Sequence, residues 1–163
     1  MGIKQSDNRK LGDPGTADFQ LDKYPFYLLN RAVSRYNRLI ETRLRAIAID
    51  VPTWRVLMIL GEMAPRSIGN IAESAVINLS TMMRIIERMR NAGLVATAPN
   101  PDDARVTDVF LAPAGEEKLA SARTITAPVY ARLIHGFSPR DFDRLVALLD
   151  KLQGNLDMIS GAE

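Results

Sequence analysis

Between Asn78 and Leu111 lies a stretch whose side chains have the types and spacing to bind another molecule. It opens Asn-Leu-Ser-Thr-Met-Met-Arg-Ile-Ile-Glu-Arg-Met-Arg-Asn-Ala-Gly-Leu-Val, and two short runs follow, separated by Asn100-Pro101-Asp102-Asp103-Ala104. Met82, Ile85, Ile86 and Met89 recur at helical spacing and form one apolar side. Ser80, Thr81, Met83, Arg84, Glu87 and Arg88 then fall largely on the other. Small hydroxyls and arginines hydrogen-bond to base edges, a flexible apolar side chain touches a thymine methyl, and a helix fits the major groove of DNA. Asp103 and Arg105 stand two apart at the following turn. A carboxylate so placed holds a guanidinium in one orientation, which suits entry into a narrow, electronegative minor groove. The alternative is an ordinary surface ion pair, which contributes little.

Enzyme chemistry finds no comparable set. The chain has no cysteine, so it offers no disulfide, thiolate metal site or cysteine nucleophile, and the absence fits a reducing compartment. His135 is the only histidine and falls near a helix end, where charge compensation or packing accounts for it. The acids are scattered and do not converge, so the expectation is a protein that is not an enzyme and needs no cofactor or metal. The formal net charge is only +2, so the pI near 9.1 says little, and any case for nucleic acid rests on where the arginines lie.

With 163 residues, 47% of them of hydrophobic type, the chain is expected to form one domain with a sizeable core. No apolar run approaches the roughly 18 residues of a membrane span, and Met1 to Asp18 lacks the apolar centre of a signal peptide. The expected location is the cytoplasm, with no membrane partner.

The elements that must position these side chains read as follows. Residues 1–22 show no period and are expected to form a flexible arm. A first helix is expected from Pro25 to about Ala48, with Phe26, Leu29, Val33, Tyr36, Ile40 and Ile47 at a/d-like spacing. Arg31, Arg35, Arg38 and Arg45 form a second, basic stripe, either a solvated face or a site for an anion. Asp50 caps a short second helix whose apolar side is Leu57, Leu60 and Met63, and Trp54 is either core or the wall of a ligand pocket. After a break at Ala64-Pro65-Arg66, Ser67 caps a third helix, Ile68 to Ala75. A short link then leads to the helix capped by Asn78, an arrangement shared by helix-turn-helix units and by any αα-hairpin. Gly93 is placed for a left-handed helix end, and strands are expected at 94–98 and 105–111. A long helix runs from Pro113 to about His135, with a kink expected at Pro128, and Ser138-Pro139 opens the last helix. There Phe142, Leu145, Leu149, Leu152, Leu156 and Ile159 make an a/d seam suited to a helical dimer interface.

This order of elements resembles the MarR family of bacterial winged-helix regulators over roughly Tyr24 to Met158. The resemblance is carried by Val51-Pro52-Thr53-Trp54-Arg55-Val56-Leu57, by Ser80 to Met89, and by Gly93-Leu94-Val95. Asp103-Ala104-Arg105 and Leu111-Ala112-Pro113-Ala114-Gly115 complete it. It implies a mostly α fold with a small β-wing. Residues 23–163 would be one domain, with a DNA-binding lobe at about 50–112 and dimerisation helices at about 24–48 and 113–159. It further implies a homodimer reading a palindromic operator, with Ser80, Thr81, Met83, Arg84 and Arg88 at the major groove and Arg105, oriented by Asp103, in the minor groove. A small effector, an aromatic carboxylate, a phenolic compound or an acyl-CoA, would bind between the dimer core and the DNA-binding lobe and release the DNA. Tyr24, Tyr27, Trp54, Arg55 and Met58 would be its walls, and Arg31, Arg35 and Arg38 would meet its acidic groups. The chain departs from the family pattern at Thr97, where a basic residue is frequent, at Ala112, where threonine is usual, and at Met83, where a small hydroxyl residue is commoner. A helical protein-interaction module is the rival reading, and it leaves the Asp103/Arg105 pair unexplained.

Overall fold

The computed structural model describes residues 7–161. The first six residues of the expected arm lie outside the described residues. The rest of that stretch carries more local order than its lack of period suggests. Helix α1 (Asn8–Leu11) is capped by Asp7, a 3₁₀ turn covers Leu21–Lys23, and the Gln20 N–H donates to the Leu11 carbonyl at 2.7 Å. Such segments are held by backbone and carboxylate hydrogen bonds, which leave no apolar stripe to read.

The chain divides into two compact units, the first ending at Thr126 and the second beginning at Ala127. In the first, α2 (Pro25–Leu44) has its proline in the first turn, where a missing N–H is harmless. It stops short of the expected Ala48, because Arg45–Ile47 tightens to a 3₁₀ turn and Ala48 takes a left-handed conformation. Helix α3 (Val51–Glu62) is capped by Asp50 and buries Thr53, Trp54, Val56, Leu57 and Leu60. Met63, expected inward, falls past its end and is exposed, while Val56, not among the expected inward positions, is fully buried.

The Ala64–Pro65 peptide is cis, and Arg66–Ser67 forms a short strand, β1, where a simple break was expected. Two residues are too few to show an alternating pattern, and β1 is recognisable only by its pairing. Ser67 caps α4 (Ile68–Ala75), which buries Ile71, Ala72 and Ala75. Asn78 caps α5 (Leu79–Asn91), and Gly93 follows it at φ +70°. Strands β2 (Val95–Pro99) and β3 (Thr107–Leu111) pair antiparallel, from Val95 opposite Leu111 to Pro99 opposite Thr107. β1 pairs with the other edge of β3, giving the order β1-β3-β2. The core between these helices and the sheet contains Ile40, Leu44, Val56, Leu57, Ile71, Met82, Met89 and Val109, all fully buried. Helix α6 (Pro113–Leu133) starts against the base of the wing. A Cβ on Gly115 would collide with the Leu94 carbonyl, so only glycine fits there.

In the second unit α6 continues through Pro128 to Leu133, and Gly136 turns the chain at φ +87°. Helix α7 (Pro139–Ser160) opens with a reciprocal capping box between Ser138 and Asp141. No residue of α7 is buried, and Leu145, Leu149, Leu156 and Ile159 of its seam are exposed. No helix among the described residues is long and apolar enough to cross a membrane.

The turn between α4 and α5 stores strain. Val76 sits at φ +54° and is 88% exposed, although a β-branched side chain is poorly suited to the left-handed region. Val76→Gly is expected to relieve that strain by more than the chain entropy it adds, a net gain of roughly 0.5–1 kcal/mol. A shifted denaturation midpoint at unchanged slope would show it.

Candidate nucleic-acid interface

The outward face of α5 is decided by what its inward face buries. Met82, Ile85, Ile86 and Met89 are buried, which leaves Ser80, Thr81, Met83, Arg84, Glu87 and Arg88 in solvent. The amino end is ordered by Asn78, whose Oδ1 accepts the Thr81 N–H at 2.8 Å and the Ser80 hydroxyl at 3.0 Å. Met83, Arg84, Glu87, Arg88 and Asn91 line one open hollow on this face. The arginines differ in their engagement. Arg90 pairs with Glu87 at 2.8 Å. Arg88, exposed on this face, has Nη2 donating to Asp50 Oδ2 at 2.7 Å and to Thr53 Oγ1 at 3.1 Å. Arg84 makes no ion pair among the described residues. Partial burial raises the Asp50 carboxyl, but hydrogen bonds from Thr53 and the Arg88 charge outweigh it and hold the pKa below the usual carboxylate value.

The wing brings Asp103 and Arg105 together as the spacing implied. Arg105 donates through Nε to Oδ1 and through Nη2 to Oδ2, both at 2.9 Å, and its backbone N–H reaches Oδ1 at 3.0 Å. The fork is bidentate, the arrangement that fixes a guanidinium best. Its side chain is nonetheless 90% exposed, so the charge is oriented without being buried. The hydrogen bonds from Arg105 also hold the Asp103 carboxyl below its ordinary value. With the folded value depressed, the fork persists above the ordinary carboxylate range and is lost as pH falls through the depressed one.

Asn100 organises the turn that presents this fork, and residue patterns alone did not single it out. Its Oδ1 accepts the N–H groups of Asp102 at 2.9 Å and Asp103 at 3.1 Å, while Nδ2 donates to Asp108 Oδ2 at 2.9 Å. Asp108 is buried on β3. Asparagine at the start of a turn was a readable signal. Its bond to Asp108 depends on strand register and was not.

The eight ligand candidates do not converge. Arg55 and Met58 line a cavity of about 460 Å³ together with Val33, Ile59, Ser74, Ala75 and Val76. Arg55 Nη1 donates to the Ala75 carbonyl at 3.1 Å, closing the carboxyl end of α4. Trp54 lies in the core, 5% exposed and not on that cavity's wall, and its indole N–H has no partner among the described residues. Tyr24 packs edge-on between Phe19 and Phe26, with ring centroids at 5.8 and 5.6 Å. Tyr27 is half-buried on α2, and Arg31, Arg35 and Arg38 are exposed there, all outside the cavity lining. Arg45, the last of the basic stripe, is tied to Glu41 at 2.8 Å. Val33, read as a packing position, is 49% exposed and lines the cavity.

Asn100→Ala removes both Asx hydrogen bonds and leaves the buried Asp108 carboxylate without that donor. The expected loss is about 1–3 kcal/mol of stability, with faster amide exchange at Asp102 and Asp103. Unchanged exchange would show that the turn is held by other means.

The surroundings of these residues match known proteins. A family model described as the MarR family matches residues 49–107, the span from the start of α3 to the wing. The HTH-type transcriptional repressor IacR of Pseudomonas putida is 37% identical over 147 residues, covering 90% of this chain and 88% of that protein. A MarR-family transcriptional regulator from Silicibacter pomeroyi superposes with a TM-score of 0.78 at 27% identity, over 86% of this chain and 94% of its own. BpsR of Bordetella bronchiseptica, solved in connection with regulation of its DNA binding by 6-hydroxynicotinic acid, has the same fold. Its TM-score is 0.72 at 21% identity, over 83% of this chain and 96% of its own. The exposed α5 face, the forked wing arginine and the extent of the match to a repressor place this chain in the MarR family of DNA-binding transcriptional regulators, which are not enzymes.

Proposed function

We propose that the chain works as a homodimeric repressor in the cytoplasm, reads a palindromic operator and is released from it by a small acidic effector. The observation that carries the DNA half is that one lobe exposes two complementary devices. Ser80, Thr81, Met83 and Arg84 stand on the outer face of a capped helix, and Arg105 is aimed by a bidentate carboxylate at the wing. The first suits base edges in the major groove and the second a narrow minor groove. Two such lobes with recognition helices about 34–36 Å apart would meet half-sites one helical turn apart. The exposed seam of α7 and the exposed Phe26, Val33 and Tyr36 of α2 support a second copy as the dimer partner. A helical interaction module accounts for those seams but gives no use to the Asp103–Arg105 fork.

The effector half rests on the cavity beside Arg55 and Met58, where a guanidinium stands among apolar side chains. Such a site suits an aromatic carboxylate, a phenolic compound or an acyl-CoA, with Arg31, Arg35 and Arg38 available to phosphates or carboxylates nearby. BpsR, whose DNA binding is described as regulated by 6-hydroxynicotinic acid, is a precedent for an aromatic acid on this fold.

Arg105→Ala is expected to weaken operator binding by about 1–3 kcal/mol, roughly five- to 150-fold, with the elution volume and thermal midpoint unchanged. Unaltered affinity in a band-shift titration would remove the wing from the interface. For the effector, thermal melts against aromatic acids and coenzyme A thioesters are expected to find a ligand that stabilises the protein by about 2.7 kcal/mol at a hundredfold excess over Kd and abolishes the band shift. A panel with no stabilising member would overturn the effector class.

A further inference from the structure

Arg88 lies on the exposed face of α5, yet its guanidinium is already committed. Nη2 lies 2.7 Å from Asp50 Oδ2 and 3.1 Å from Thr53 Oγ1, although Asp50 is 38 residues distant in sequence. Asp50 is itself a fixed point, because its other oxygen accepts the Thr53 N–H at 2.8 Å and caps α3. One carboxylate therefore closes the first turn of α3 and grips a side chain from the last turn of α5. Both partners are about half exposed, at 57% and 43%. Such a pair adds little to global stability, but it fixes the geometry of two helix ends at once. Pulling Arg88 away toward DNA would also leave the Asp50 carboxylate uncompensated near a phosphate backbone, which is electrostatically unfavourable.

We propose that Arg88 is a positioning residue, which reads no base but ties the carboxyl half of α5 to the amino end of α3 and so sets the angle at which Ser80, Thr81, Met83 and Arg84 meet the groove. The assignment rests on α5 being the recognition helix. Among the three arginines Arg84, Arg88 and Arg90, it leaves Arg84 as the one with no ion-pair partner among the described residues.

The test uses the full chain and a duplex that the wild type enriches from a random pool, with a scrambled duplex as control. Affinities are measured over a range of salt for the wild type, Asp50→Asn, Arg88→Ala, Arg88→Lys and the Asp50→Asn/Arg88→Ala pair. Asparagine caps a helix about as well as aspartate, so α3 keeps its first turn, and thermal melts check that each variant is folded. The positioning role predicts that Asp50→Asn and Arg88→Ala each weaken the selected duplex about three- to tenfold, and that the double variant is no worse than the weaker single. It also predicts that affinity for the scrambled duplex does not fall, that Arg88→Ala keeps the wild-type salt slope, and that Arg88→Lys recovers most of the loss. Wild-type affinity in Asp50→Asn, with a tenfold loss and a slope lower by about one in Arg88→Ala, would show that Arg88 contacts the DNA itself. Additive losses would overturn the coupling. A wild type that enriches no duplex would overturn the recognition-helix reading, and this assignment with it.

Discussion

Met82, Ile85, Ile86 and Met89 are each 7% exposed or less, and their burial determines which face of α5 is left for a partner. A helix cannot rotate about its axis without moving such a stripe into water, at roughly 1.5–3 kcal/mol for each large apolar side chain. That constraint passes outward. The Gly93 turn starts β2 from the end of α5, β2 fixes the register of β3, and β3 holds β1 on its far edge. The wing arginine therefore takes its place from the same stripe that orients Ser80, Thr81, Met83 and Arg84. Gly115 completes the connection, since α6 can lie against the Leu94 carbonyl only without a side chain there.

Within this frame the exposed ion pairs orient groups and add little to stability. The pairs Asp103–Arg105, Glu87–Arg90 and Asp50–Arg88 are at least partly exposed, and such pairs seldom contribute more than about 1 kcal/mol. Their effect is to remove side-chain freedom before a partner arrives, so that less ordering has to be supplied on binding. The wing shows the division most clearly. The buried Asp108 anchors Asn100, Asn100 collects the N–H groups of the turn, and only the outermost fork carries an exposed charge.

What was legible in the sequence follows from the range of each interaction. Caps at Asp50, Ser67, Asn78 and Ser138 involve residues three apart, and all four are found as read. The α5 stripe and the Asp103–Arg105 fork are equally local. Contacts that join distant positions were not readable: the Arg88–Asp50 link, the Asn100–Asp108 bond across β-strand register, and the two-residue strand at Arg66. Juxtaposition also decides which of the ligand candidates share a cavity. Residue type picked out Arg55 and Met58, which do line the cavity, together with Trp54, Tyr24 and the basic stripe, which do not; Val33 and Val76 join the wall through juxtaposition that residue type does not encode.

Helix α7 leaves its apolar side uncovered. It runs 22 residues with a reciprocal capping box, yet contains no buried residue. Helices in proteins are stabilised chiefly by packing an apolar face, and caps and propensity alone leave them marginal in water. Leu145, Leu149, Leu156 and Ile159 offer that face at alternating spacings of four, seven and three residues. The spacing is a coiled-coil seam, which requires another helix of matching period rather than a small ligand or a flat surface. An isologous contact would meet this requirement with the same residues on both sides, which is why the proposed dimer is placed on α7.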